Sequence, residues 1–262
     1  MGNLEWKAFA YIQLRNLQAL RTGDLCGALG ISGKQERELF ARLARGRLIA
    51  QVRRGLYLVP PRLPLGGAWS PDEASALNAL LEDRGGRYQI AGPNAFNRYG
   101  FDSQVPTRVY VYNNRLSGER AIGSVAISLI QVADERLGDT EKTVSATGAR
   151  AFYSSRARTL VDGVYDWSRF DSLPRAYRWI RGELAANRVD TGDLVQLTIR
   201  YGNRGTVRRI GALLDQEGVA PALLRKLEER LPPSTGLIPW IPIWPKRGKV
   251  DRRWGVVLND RE

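Results

Sequence analysis

The sequence predicts an α+β protein in two parts, with strands early and helices late in the second part. Three observations carry that reading. The first 62 residues show a helix, a tight turn, a capped helix and a hairpin in that order. Residues 60–67, Pro-Pro-Arg-Leu-Pro-Leu-Gly-Gly, hold three prolines and two glycines, the composition of a boundary. From residue 154 onward the apolar spacing becomes that of helices. The predicted domains are therefore 1–62 and 68–262.

Trp6, Phe9, Ala10, Leu14 and Leu17 predict an amphipathic first helix. A short helix is expected over 24–29, with Cys26 and Leu29 on its buried side and Cys26 as a small buried hydrophobe. After the Gly30-Ile31 turn, Ser32 with Gln35 three residues on has capping-box spacing. The helix it opens has Leu39, Phe40, Leu43 and Ala44 on one face and Lys34, Arg37, Glu38, Arg42 and Arg45 on the other. Two short strands over 48–52 and 56–59 follow, joined through Arg53-Arg54-Gly55, where Gly55 can take the positive φ of a tight turn. This order reads as a winged helix-turn-helix.

In the second part, Ser70-Pro71-Asp72-Glu73 predicts a helix capped by Ser70, with Ala74, Leu77 and Leu81 facing inward. Strands are expected over 88–91, 107–112 and 125–132, with Asn113, Asn114 and Gly118 as turn residues. Five helical stripes follow, centred on Leu160, Tyr177, Leu197, Ile210 and Leu227. The Pro- and Trp-rich end, 231–258, is expected to pack as an irregular strap or edge strand.

Composition narrows the function. The 262 residues carry 40 Lys and Arg against 27 Asp and Glu, a net charge of +13, which points to a polyanionic partner. The first 62 residues hold 11 of those cations against 4 anions, more than half of the excess. The absence of histidine excludes histidine acid-base and triad chemistry. A single cysteine excludes an internal disulfide and a cysteine zinc site. No apolar run suits a membrane span or signal-peptide core, and Trp6 stands where a myristoylation start needs Ser or Thr, so a soluble cytoplasmic protein is expected.

Catalytic patterns fail on inspection. Around Gly30-Ile31-Ser32-Gly33-Lys34, Ala28 replaces the first glycine of a phosphate loop and Gln35 its Mg²⁺-binding hydroxyl. Asp162 and Asp166 lie four apart as metal-binding carboxylates might, but Arg158 offers an ion pair one turn earlier. Glu5-Trp6-Lys7, the one Glu-x-Lys of the chain, falls on the first helix, and Asp134, Glu135, Asp139 and Glu141 fall in an expected loop. No catalytic residue, metal or cofactor is assigned.

DNA is the expected partner. Ser32 starts the recognition helix, Lys34, Gln35 and Arg37 are candidates for base edges, and Arg42, Arg45, Arg53 and Arg54 for phosphates. Arg175, Arg178, Arg208 and Arg209 are read as a second basic surface.

Several motifs together resemble the AbiEi antitoxins: Arg54-Gly55-Leu56-Tyr57, residues Arg156 to Asp162 (RARTLVD), Arg200-Tyr201-Gly202-Asn203 leading into Val207 to Leu214 (VRRIGALL), and Arg252-Arg253-Trp254. That resemblance spans nearly the whole chain. It implies an antitoxin of an AbiE, or type IV, toxin–antitoxin system linked to abortive phage infection. It further implies an autorepressor bound to repeats in its own promoter, and a C-terminal domain that counters a nucleotidyltransferase-like toxin without a stable complex. Two other classes stay open on the residues: a nucleic-acid-processing enzyme with an unrecognised carboxylate site, and a winged-helix protein-interaction module.

Overall fold

The computed structural model describes residues 2–62, 67–233 and 236–260 and has an α+β fold. Of the expected linker, residues 63–66 lie outside the described residues.

The chain opens with α1 (Asn3–Leu14), β1 (Ala19–Arg21), α2 (Cys26–Leu29), α3 (Gly33–Arg45), β2 (Ala50–Arg53) and β3 (Leu56–Leu58). The strands form an antiparallel sheet in the order β1-β3-β2. Gly55, at φ 80°, sits in the β2–β3 turn, and a Cβ there would meet the Thr22 hydroxyl at 3.1 Å. Two faces differ from the sequence reading. Helix α1 buries Ala8, Phe9 and Ile12, while Trp6 and Leu14 are exposed, because at about 3.6 residues per turn Trp6 lies about a third of a turn, and Leu14 about half a turn, from the centre of that stripe. At α2 the buried anchor is Leu25, and Cys26 is only half-buried.

Next come α4 (Glu73–Glu82), β4 (Tyr88–Ile90), α5 (Pro93–Arg98), β5 (Val109–Asn113), β6 (Gly118–Ile122), β7 (Val125–Gln131), β8 (Thr140–Val144) and β9 (Arg150–Ser154). Asp72 rather than Ser70 caps α4, its carboxylate accepting from the Ser75 amide at 2.7 Å. The Ser70 hydroxyl instead accepts from the Ser124 amide at 2.9 Å. The strands make one mixed sheet in the order β6-β7-β5-β4-β9-β8. Strands β6, β8 and β9 and helix α5 are additional to the sequence reading.

The rest is largely helical: α6 (Arg156–Tyr165), α7 (Trp167–Phe170), α8 (Arg175–Ala185), α9 (Thr191–Tyr201), α10 (Arg204–Gln216) and α11 (Pro221–Glu228). The Trp-rich end is ordered as the small sheet β10 (Ile238–Pro239), β12 (Val256–Leu258), β11 (Lys249–Asp251), with Trp240 and Trp254 fully buried.

The chain forms two compact units that interleave in sequence. One comprises Met1–Ile90, Pro106–Leu137 and Lys142–Tyr153, and the other Ala91–Val105, Gly138–Glu141 and Ser154–Glu262. The units do not part at 60–67. Residues 1–62 do carry a core of their own, including Phe9, Ile12, Leu20, Leu39, Phe40, Leu43 and Val59. Yet Ala50, Val52, Leu56 and Leu58 turn away from it and pack with Leu77, Leu80 and Leu81 of α4 and with Val111, Ile127 and Leu129 of the larger sheet. Cutting at the linker would expose that second face of the hairpin.

In the other unit, the buried charges serve the packing. Arg158 and Asp162 are both fully buried and pair at 2.9 Å; the guanidinium lies 3.6 Å over the Tyr201 ring and also donates to the Gly138 carbonyl. At Gly211 the Trp254 ring packs so closely that an added Cβ would lie 2.2 Å from it. The ring cannot swing aside, since it is buried and its indole N–H donates to Asp215. Gly211→Ala should therefore cost at least about 1–3 kcal/mol of stability through overpacking, read as a lower urea midpoint with unchanged m.

Candidate nucleic-acid interface

The α3 helix presents the basic face that its sequence predicts. Leu39, Phe40 and Leu43 are buried, and Lys34, Gln35, Arg37, Glu38, Arg42 and Arg45 are exposed. Ser32 caps it: its hydroxyl accepts from the Gln35 amide at 3.3 Å, and the Gln35 Oε1 accepts from the Ser32 amide at 2.8 Å. The capping box thus occupies the amide oxygen of Gln35 and leaves its NH₂ outward.

Glu36, which sequence reading did not place, fixes this helix against the one before. It is fully buried, and its carboxylate accepts from the Gly23 amide at 2.7 Å and the Leu25 amide at 2.9 Å. Charge-assisted bonds of this kind satisfy amides at the α2 start that have no other partner in a short helix. The signal was present in the sequence, since Glu36 falls on the stripe of Leu39, Phe40 and Leu43.

The cations divide into free and engaged. Lys34, Arg37, Arg45 and Arg54 are exposed, with no ion pair or side-chain hydrogen bond in the described residues. Arg47, which the sequence reading passed over, is likewise exposed. Arg42 reaches Glu5 of α1 at 3.4 Å, an exposed pair worth little. Arg53 is a correction. Its guanidinium grips Asp83 at the end of α4 with two bonds, 2.5 and 2.7 Å, rather than standing at the hairpin tip for phosphates. Arg21 adds a third bond to Asp83 at 3.0 Å. Beside the C-terminal end of α3 an open cleft of about 700 Å³ is lined by Arg45, Arg47, Trp69, Ser70 and Ser124.

The second basic surface does not form as the sequence suggests. Arg175 pairs with Asp102 and donates to the Asp171 carbonyl, leaving Arg178 as the exposed member. Arg208 donates to the carbonyls of Trp254, Gly236 and Gly255, and the buried Arg209 to that of Pro239 at 3.1 Å. These two guanidinium groups staple the C-terminal segment to α10, and backbone carbonyls take the place of carboxylates. Asp162 is spent on Arg158, and Asp166 pairs with Arg169 at 3.7 Å. Among the described residues no group of three acidic or thiol side chains is placed to hold a metal, and no helix is long and apolar enough to cross a membrane.

Fold and surface together define a two-unit α+β protein with a basic helix followed by a hairpin near its start. No family model matches the chain, and no curated protein does. Among solved structures the chain is similar to the crystal structure of the RV2827C protein from Mycobacterium tuberculosis, at TM-score 0.57 and 14% identity over 98% of this chain and 91% of that one. The similarity is one of fold.

Two measurements probe the framework. Hydrogen bonds from Arg53, then from Arg21, hold the Asp83 carboxyl down from 3.8 to about 2. Its stabilisation is therefore complete above pH 4 and lost as pH falls toward 2. Thermal melts from pH 2 to 6 should show that loss in the native chain, and Asp83→Asn should be less stable at pH 6 and show a shallower acid decline. Glu36→Ala should destabilise the chain by about 3 kcal/mol, since it strips two amides of a charged acceptor. Amide exchange at Gly23 and Leu25 should rise ahead of the rest of the first unit.

Proposed function

We propose that this chain is a sequence-specific DNA-binding protein that inserts α3 in the major groove, with the β2–β3 hairpin as the wing. The observation that carries the reading is the set of unpaired cations, Lys34 and Arg37 at the N-terminal end of α3, Arg45 at its C-terminal end, and Arg54 at the hairpin tip. Lys34 and Arg37 fall where recognition helices meet base edges, and Arg45 and Arg54 where the backbone passes. Arg45 also suits the negative end of its own helix, which would account for one cation but not for four. The chain contains no histidine, and its paired carboxylates are consumed in ion pairs, which favours binding over catalysis.

The resemblance of the Arg156–Asp162, Arg200–Leu214 and Arg252–Trp254 motifs to AbiEi antitoxins extends this reading. On it, the protein is a cytoplasmic autorepressor of a type IV toxin–antitoxin operon that binds repeats in its own promoter. It would oppose a nucleotidyltransferase-like toxin without a lasting complex. Several of these motif residues, Arg158, Asp162, Tyr201, Arg208 and Trp254, are structural in this chain, so the resemblance supports a shared build more directly than a shared activity.

Binding to a duplex from the chain's own promoter, measured by fluorescence anisotropy across a salt series, tests the proposal. With Arg45 and Arg54 on phosphates, log Kd against log salt should have a slope of magnitude about 1.8. Arg54→Ala should weaken all duplexes alike and lower that slope by about one, whereas Lys34→Ala or Arg37→Ala should relax preference at one base position. Arg53→Ala should cost stability before it costs affinity. Equal affinity for promoter and random duplexes would remove the repressor reading.

A further inference from the structure

We propose that a cleft in the second unit, at the start of α10, binds the phosphates of a nucleoside polyphosphate through Arg204, Arg208 and Arg252. The cleft has a volume of about 440 Å³ and is lined by these three arginines, by Arg253 and Glu228, and by Leu231, Pro232, Pro233, Trp254 and Gly255. That volume falls within the roughly 300–1,000 Å³ of small-molecule sites.

The charges in the cleft are not balanced by the chain. Glu228 is committed to Arg253 at 2.5 Å, and Arg253 also bonds Asp215 at 3.1 Å. Arg204 and Arg252 are exposed, with no hydrogen bond or ion pair among the described residues. Arg208 is held in place through Nε and Nη2 by neutral carbonyls, which fix its direction, cancel none of its charge and leave Nη1 without a partner. Burial without a carboxylate lowers its pKa from the usual arginine value. Three guanidinium groups thus share one small space with no anion of their own.

Their placement works against the helix that carries them. Arg204 is the first residue of α10 and Arg208 lies one turn on, in a helix with no acidic residue in its first turn. Like charges four residues apart repel, and a cation at a helix N-terminus opposes the macrodipole. An anion of two to four charges would relieve both. Arg204 and Arg252 can each bind phosphate oxygens with two parallel bonds and Arg208 can add one from Nη1, which suits a chain of phosphates better than a monovalent ion. Leu231, Pro232 and Pro233 add apolar lining, a surface for the sugar and base. The inference stands apart from the DNA reading, since every residue of the cleft lies in the second unit.

The test is isothermal titration of the full chain with ATP, inorganic tripolyphosphate and adenosine at fixed ionic strength. ATP should bind at one site per chain, tripolyphosphate more weakly, and adenosine not measurably. Arg204→Ala with Arg252→Ala should weaken ATP by about tenfold or more, because two charge-assisted contacts are lost. Arg178→Ala, a control at an exposed arginine outside the cleft, should leave it unchanged. The two cleft arginines are exposed and unpaired and Arg204 opposes its own helix, so the melting temperature should hold or rise slightly; if it falls, Arg252→Ala alone repeats the test from a turn. Absence of ATP binding at millimolar concentration, or native-like affinity in the double variant, overturns the site. Tripolyphosphate binding as tightly as ATP overturns the nucleoside assignment.

Discussion

The β2–β3 hairpin and the residues that flank it contribute to two cores. Ile49 and Val59 join the core of α1 and α3, where the Tyr57 ring also meets Phe40 at 4.8 Å. Ala50, Val52, Leu56 and Leu58 join the core of α4 and the six-stranded sheet. A hairpin with one wet face could leave its helices free to move on a linker, but this one is a shared wall between two cores. The Arg53–Asp83 bonds pin the same wall from the solvent side. The basic helix α3 is consequently packed into the same compact unit as α4 and most of the larger sheet.

The charged residues fall into two populations that their sequence context does not separate. Arg54 looks like Arg53 and Arg208 in a one-dimensional reading, each beside another cation. What distinguishes them is the partner folded against them from 28 or more residues away. Asp83 reaches Arg53, and the carbonyls of residues 236–255 reach Arg208. An arginine donates five N–H groups and can satisfy them on neutral carbonyls, so its burial leaves no acidic trace in the sequence. The same is true of Arg209 against the Pro239 carbonyl.

Legibility of the fold followed burial. Helices α6, α8, α9, α10 and α11 each bury a stripe of large aliphatic residues, and each was predicted from it. The strands β6 and β8 escaped, and they are the two edges of the larger sheet. The sequences Gly-Glu-Arg-Ala-Ile and Thr-Glu-Lys-Thr-Val are exposed along most of their length, so no alternation marks them. Charged edge strands of that kind resist pairing with other chains, and the property that protects them also conceals them. On the candidate interface, the capped basic helix was legible because its period, cap and charges are all local. Glu36 and Asp83 were not, because a buried carboxylate is defined by amides and guanidiniums that only folding brings to it.

On the proposed DNA-binding reading, the capping box at the start of α3 limits what Gln35 can say to a base. With its oxygen held by the Ser32 amide, the side chain can only donate. Adenine is read by a free amide that donates to N7 and accepts from N6, and that two-way match is closed to it. Lys34 and Arg37 are donors as well, and Glu38 is the acceptor among the exposed charges at this end of the helix. Donors match the N7 and O6 of guanine, and a carboxylate matches the amino group of cytosine. A base-reading surface built this way has a vocabulary weighted toward G·C pairs, imposed by a bond whose first duty is to begin a helix.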